Sequence, residues 1–292
     1  PDFPGTARDD ASAFTIGNTV FVGTGREVSF GLTNDWYAFD MLGQSWTPIA
    51  TLPASGRQYC SAFSDVTYGY LFGGVDADGP LNELWRYDPL LDEWAEMSPL
   101  PAAGRFATVA FNNGMVCTGL LNGDIATNEC WQYNPNGDTW TLRASVPGPA
   151  RHRASGSGAI PQVIGGADAA GNALSDSYRY DPTTAVWAPI SILPAPRLGA
   201  DAVYDLGMDM TYIVGGASSP TALHADAWTH SGNDWDPIMP FAGGPRRGGV
   251  IGFGTPETPS LRQVYYGTGV DAIQRYSDWW VYTDVVEGMS DW

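Results

Sequence analysis

The chain has 292 residues, of which 43% are hydrophobic, 13% aromatic and only 16% charged. That is too apolar for a disordered polymer and long enough to bury a core without help from disulfides or metals. Acidic residues number 32 and basic residues 14, a net charge of −18 that repels nucleic-acid backbones and anionic lipid and excludes both as partners.

All 14 basic residues are arginine; no lysine occurs. A lysine-free, acidic surface suits a salty medium that screens self-repulsion. The expected location is extracellular, periplasmic or cell-surface, with a signal peptide removed before Pro1. No apolar run approaches the roughly 18 residues needed to cross a bilayer, so no membrane insertion is expected. The 36 glycines and 22 prolines fit many short strands and turns.

From the N-terminus, arginines recur at Arg8, Arg57, Arg105, Arg151, Arg197 and Arg246, spaced 49, 48, 46, 46 and 49 residues apart. Tryptophans recur at Trp46, Trp94, Trp140, Trp187 and Trp235, spaced 48, 46, 47 and 48 apart. Two residue types on one beat mark a repeat of about 48 residues, present six times. Each unit opens on a Pro stretch that ends in the beat arginine, as in LPASGR at 52–57 and LPAAGR at 100–105. A small-apolar first strand follows, as in QYCSAF at 58–63. The second strand ends in a glycine pair or Gly-Thr-Gly: FVGTG at 21–25, YLFGG at 70–74, VIGG at 163–166, YIVGG at 212–216 and YYGTG at 265–269, with VCTG at 116–119 in the third unit. The third strand reads LWRYDP at 84–89, CWQYNP at 130–135 and SYRYDP at 177–182, and the beat tryptophan opens a fourth, as in WTPIATLP at 46–53.

Asp-Pro and Asn-Pro set a type I turn, with the acid or amide first and the fixed φ of proline second. The glycines admit backbone angles or close approaches that a Cβ would block. A tryptophan on one sheet face needs a neighbour to cover it. Four strands per unit and no helical pattern predict an all-β fold: a six-bladed β-propeller of four-stranded antiparallel blades, forming a single domain over 1–292.

The hydrophobic-Gly-Gly end of strand two, the Tyr-Asp-Pro of strand three and the tryptophan of strand four resemble kelch repeats, of the secreted bacterial type, over essentially the whole chain. Unit five departs, with HADAWTHSGNDW at 224–235 and no Asp-Pro turn; in unit six Trp292 follows Tyr282 by ten residues instead of seven. Phe3-Pro4-Gly5 aligns with the Leu-Pro-Ala that ends strand four elsewhere, so the two termini are expected to meet in one outer strand and close the ring non-covalently.

The resemblance implies that the loops from strand four to strand one, and from strand two to strand three, share one face around the axis. That face would hold the beat arginines beside Gln58, Tyr59, Phe106, His152, Arg153 and Arg247. The second set of loops adds Arg26, Glu27, Phe30, Asp76, Asp78, Asn122, Asp124, Asp168, Asn172, His224, Asp271 and Arg275. The candidate ligand-binding set is Arg57, Tyr59, Arg105, Phe106, Arg151, His152, Arg153, Arg197, Arg246 and Arg247, because guanidinium is a fork for carboxylate and phosphate. The competing reading makes the repeated arginines structural ties to carbonyls or aspartates and gives the functional weight to Arg153, His152 and Arg247.

Other candidates are weaker. Asp76, Asp78 and Asp124 lie in loose Asp-Gly loops without the spacing of a twelve-residue calcium loop and read as turn formers. His152, His224 and His230 show no ligand spacing, although His224 and Asp226 share a face; no metal and no cofactor is expected. No copper-oxidase ligand set, nucleophile elbow or phosphate loop maps onto the chain. Cys117 and Cys130 flank the loop 119–127 symmetrically, within reach of a cross-strand bridge, while Cys60 reads as core packing.

Three functions remain open. One is a monomeric, extracellular binding module with an arginine-lined funnel for an anionic ligand, glycan or peptide. The second is an enzyme of the same fold, a sugar-acid mutarotase or epimerase, with Asp, Glu, His152 or His224 as acid and base. The third is a purely structural propeller of a larger surface protein. Converging polar groups at the axis favour an enzyme, exposed Tyr59, Phe30 and Phe106 a protein binder, and a plugged channel a structural role.

Overall fold

The computed structural model describes residues 1–156, 158, 160–232, 234–255 and 261–285. Blade 1 contains Ser12–Ile16, Thr19–Gly23, Trp36–Asp40 and Ser45–Ile49, hydrogen-bonded in that order as an antiparallel sheet. Blade 2 runs from Ser61–Ser64 to Glu93–Met97, blade 3 from Val109–Ala110 to Thr139–Arg143 and blade 5 from Asp201–Asp205 to Asp234–Ile238, each with four strands. In blade 4 the innermost strand is a bridge between Ser155 and Ile164, inside Gln162–Ile164, Ser177–Asp181 and Val186–Ile190. Blade 6 shows Val250–Gly254, Leu261–Gly267 and Trp279–Val285. The fold is therefore the all-β, six-bladed propeller that the repeat predicts, with no helix among the described residues.

The beat tryptophans join neighbouring blades. The indoles of Trp94, Trp140, Trp187 and Trp235 donate to the carbonyls of Ala50, Ser98, Ala144 and Ser191 on the preceding blade, at 2.9–3.0 Å. Trp46 does the same to Pro1 at 3.2 Å, and Phe3 N–H donates to Ser277 at 2.7 Å, the bond that Leu52 makes to Asn34 and Leu100 to Asn82. The N-terminal segment thus stands where blade 6 needs an outer edge. Trp292, the expected closing residue, lies outside the described residues. In blade 5 His230 packs against Trp235 with ring centres 4.9 Å apart, where other blades place Tyr87 or Tyr133 against their tryptophans.

Each beat arginine is buried. Arg8, Arg57, Arg105, Arg151, Arg197 and Arg246 meet Asp35, Glu83, Glu129, Asp176, Asp226 and Asp278 at 2.5–3.1 Å, the acid that opens strand three of the same blade. The backbone carbonyl of each arginine accepts an N–H from a glycine of the preceding blade, such as Gly25 to Arg57 at 2.8 Å and Gly269 to Arg8 at 2.8 Å. Burial alone would raise the acids; the guanidinium's hydrogen bonds and charge outweigh it and hold Asp35, Asp176 and Asp226 below the usual carboxylate range.

Cys117 and Cys130 are directly opposed on strands two and three of blade 3 and form a disulfide. Cys60 is the free thiol.

Replacing Arg151 by alanine should destabilise the protein by about 2–3 kcal/mol, because it removes a buried guanidinium bonded to the half-exposed Asp176 and to the Gly165 carbonyl; denaturant unfolding measures it. Thiol titration of the unfolded, unreduced protein should count one free thiol.

Candidate functional site

A ring of backbone surrounds the axis on the face of the arginine loops. Two residues after each beat arginine stand Asp10, Tyr59, Ala107, Arg153, Gly199 and Gly248. All six lie in the left-handed region, with φ between 51° and 61°. Each donates its N–H to the ring residue of the preceding blade: Tyr59 to Asp10, Ala107 to Tyr59, Arg153 to Ala107, Gly199 to Arg153, Gly248 to Gly199 and Asp10 to Gly248, at 2.9–3.1 Å. The hydrogen bonds run head to tail and close the circle.

Beneath the ring the innermost strands line an axial channel of about 360 Å³, with residues such as Ser12, Ser61, Thr108 and Ala202. At the ring the channel meets a cavity of about 120 Å³, lined among others by Asp10, Tyr59, Cys60, Arg153, Asp201 and Arg247. The ring is uneven. A Cβ at Gly248 would sit 2.5 Å from Asp10 Oδ1, whereas one at Gly199 would find its nearest neighbour at 3.6 Å. The ring is therefore open at Gly199 in blade 5, where Arg247 is the nearest neighbour, and filled by Asp10 at Gly248 in blade 6.

The electrostatics of this mouth are unusual for so acidic a protein. Arg153 Nη2 donates to the Tyr59 hydroxyl at 2.6 Å, and its guanidinium carbon lies 4.7 Å from the Tyr59 ring centre. Arg247 makes no side-chain hydrogen bond or ion pair among the described residues. Burial, then repulsion from Asp9, raises Asp10 to about 7 against the pull of Arg153, Tyr59 and Arg247. Burial and the charge of Asp10 push Asp201 well above the carboxylate range, and its Oδ2 is buried without a hydrogen bond. The same causes raise Tyr59, and burial pushes the Cys60 thiol up to about 12, which leaves it unreactive. Asp9 is already bound to Arg275. Two guanidiniums thus face two carboxyls that resist ionisation.

The ten residues predicted from the sequence divide sharply. Tyr59, Arg153 and Arg247 come together at the mouth. Phe106 stands beside Tyr59 with ring centres 6.0 Å apart. His152 is half-buried with its Nδ1 unbonded, and burial followed by the Arg153 charge lowers its pKa. Arg57, Arg105, Arg151, Arg197 and Arg246 are 0–2% exposed, do not border the cavity, and each is engaged by its own acid. The geometry gives those five the tie role, and the ligand reading passes to Arg153 and Arg247. Asp10 and Asp201 were not picked out by sequence reasoning. Aligning the repeats on their arginines would have exposed Asp10, since the ring column reads Asp, Tyr, Ala, Arg, Gly, Gly.

The remaining candidates serve the loops. Asp76 Oδ1 accepts from the backbone of Asp78 and Gly79 at 2.9 and 3.1 Å, and Asp168 Oδ1 accepts from Ala170 and Asn172. No group of three or more His, Cys, Asp or Glu is placed to hold a metal ion among the described residues. Phe30 is 64% exposed on the rim, with Arg26 and Arg275 at 4.7 and 5.0 Å from its ring centre.

A family model, the KLHDC2/KLHL20/DRC7 Kelch-repeats domain, matches residues 2–162. The chain belongs to the kelch-repeat family. Among solved structures, that of YjhT matches this kelch propeller with a TM-score of 0.84 and 18% identity, covering 100% of this chain and 98% of that one. At that identity the likeness bears on the fold. Comparison with curated proteins finds no match.

The raised Asp10 gives a signed prediction. The folded protein holds this proton from about pH 4 to about 7 and the unfolded chain does not, so ionising Asp10 removes stability as the pH rises through that window. Asp10→Asn should therefore gain stability over the parent between pH 4.5 and 7.5, measured by denaturant unfolding at several pH values.

Proposed function

We propose that this kelch propeller is a binding module that takes a small anionic ligand, such as a sugar acid or another carboxylate, at the axial mouth. The observation that carries the reading is Arg247, whose guanidinium makes no side-chain hydrogen bond or ion pair among the described residues and which lines, with Arg153, a cavity of about 120 Å³. Because Asp10 and Asp201 resist ionisation, they leave the positive charge of the two arginines largely uncompensated. A bidentate guanidinium–carboxylate contact suits that charge. The open, polar axis supports this reading over a purely structural role. The half-burial of Tyr59 and Phe106 supports a small ligand over a protein surface. The disulfide supports an extracellular or periplasmic setting, where such bonds persist.

The raised pKa values also favour a second reading, an enzyme acting on a sugar acid. Asp10, titrating near neutrality, would serve as general base or acid, with Asp201 as the proton-bearing partner. Anomer exchange of sugar acids followed by NMR tests it: a rate lost in Asp10→Asn supports the enzyme, and no acceleration by the parent protein leaves the binding module.

Calorimetric titration with a panel of sugar acids tests the main reading. Arg247→Ala should weaken binding by about 10- to 100-fold, the worth of a charged hydrogen bond, while leaving stability within about 0.5 kcal/mol. Affinity should fall as the pH rises past about 7, where ionised Asp10 competes for the arginines. Failure of every anion to bind, or binding indifferent to Arg247, overturns the reading.

A further inference from the structure

Blade 5 departs from the repeat at two positions that meet each other. The first is Ser218, in the hairpin of Ala217–Ser219 with Ala222–Leu223. The register slips between Ala217 and Ser219, so Ser218 is the extra residue of a bulge. A bulge re-aims the side chain it carries. Here it brings Ser218 Oγ to 2.5 Å from His224 Nε2. The second position is His224 itself. Its N–H bonds to Gly216, the bond that Thr33, Leu81, Thr127, Leu174 and Tyr276 make in the other blades. Blade 5 is thus the blade that places an imidazole at this point of the repeat.

The other imidazole nitrogen, Nδ1, faces Asp226 Oδ1 at 4.0 Å. Nδ1 lies on the side of the carboxylate and Nε2 on the side of the serine, and in the tautomer with the proton on Nδ1 the free Nε2 accepts the serine proton. Asp226 is bidentate with Arg197, at 3.0 Å to each oxygen, and accepts the Trp228 indole at 2.7 Å. The carboxylate is therefore fixed without His224, and the hairpin is closed by its own backbone. Burial and the Arg197 charge, opposed by Asp226, lower the imidazole pKa and keep it neutral near pH 7. Ser218 and His224 are both partly exposed to solvent.

We propose that Ser218 is a nucleophile activated by His224 and accepts the acyl group of carboxylic esters. His224 Nε2 takes the Oγ proton as Oγ bonds to the ester carbon, and the imidazolium returns that proton to the alcohol as the C–O bond breaks. Water then attacks the acyl carbon as the same nitrogen takes its proton, and the imidazolium returns that proton to Oγ as the acyl carbon–Oγ bond breaks, releasing the acid and restoring the serine. The site is separate from the axial mouth, and neither reading depends on the other.

The test uses the full chain with an alkyl fluorophosphonate and with p-nitrophenyl acetate. Peptide mapping by mass spectrometry should find the phosphonyl group on Ser218, with labelling rising with pH as the imidazole loses its proton. Ser218→Ala should abolish both labelling and ester hydrolysis, and His224→Gln should slow both by about 100-fold or more, the scale of general-base catalysis. Labelling of the unmutated protein needs no variant to fold. If Ser218 stays unlabelled, or is labelled no faster than its neighbour Ser219, the proposal is overturned; hydrolysis that persists unchanged in Ser218→Ala overturns it as well.

Discussion

Six buried guanidiniums decide how this propeller is assembled. A charged group taken out of water must be paired and hydrogen-bonded to be tolerated. Each beat arginine meets that condition with an acid from strand three of its own blade. Its carbonyl meanwhile receives an N–H from the blade before. The residue therefore joins the sheet it belongs to with the sheet beside it, and the beat tryptophans repeat the join farther from the axis. Arginine suits this position because its planar fork fills both oxygens of a carboxylate, which a lysine ammonium does not do. Where the acids are aspartates, as in Arg8–Asp35 and Arg246–Asp278, the pair is bidentate.

Much of this architecture is legible in the sequence, because the fold repeats and its tie residues repeat with it. The tryptophan and arginine beats count the blades, and Phe3-Pro4-Gly5 announces how the ring is closed. The partners are harder to see. The acids follow their arginines at intervals of 24 to 32 residues, since the stretch from the arginine through strands one and two changes length from blade to blade while the loop between strands two and three stays nearly constant. With the acid hidden, a column of arginines on one face resembles a funnel for anions. Burial, which distinguishes a tie from a ligand, depends on packing that no single repeat contains.

The site obeys the opposite logic. A ring position occupied six times by one residue would serve assembly; here it is occupied by five residue types, so the mouth has no sixfold symmetry. Asp10 and Arg153 face each other across the ring with the two glycines between them on one side, so the opening is lopsided. The carboxyls of Asp10 and Asp201 come from blades 1 and 5, far apart in sequence, and their mutual repulsion arises only after the circle closes. No local motif carries that information. His224 was visible as a lone histidine, but Ser218 was not, because its orientation comes from a bulge of the backbone.

The closed circle of hydrogen bonds at the mouth has an electrical consequence. A helix end presents free N–H groups and a positive pole, and many anion sites exploit it. In the ring every N–H is answered by the carbonyl of the preceding blade, and the peptide dipoles point around the axis instead of along it. Arranged head to tail in a circle, they cancel. The backbone therefore offers an incoming anion neither a pole nor a spare donor at this point. Charge preference at the mouth rests on side chains alone, and changing one residue of the ring can reset it without disturbing the circle that holds the blades together.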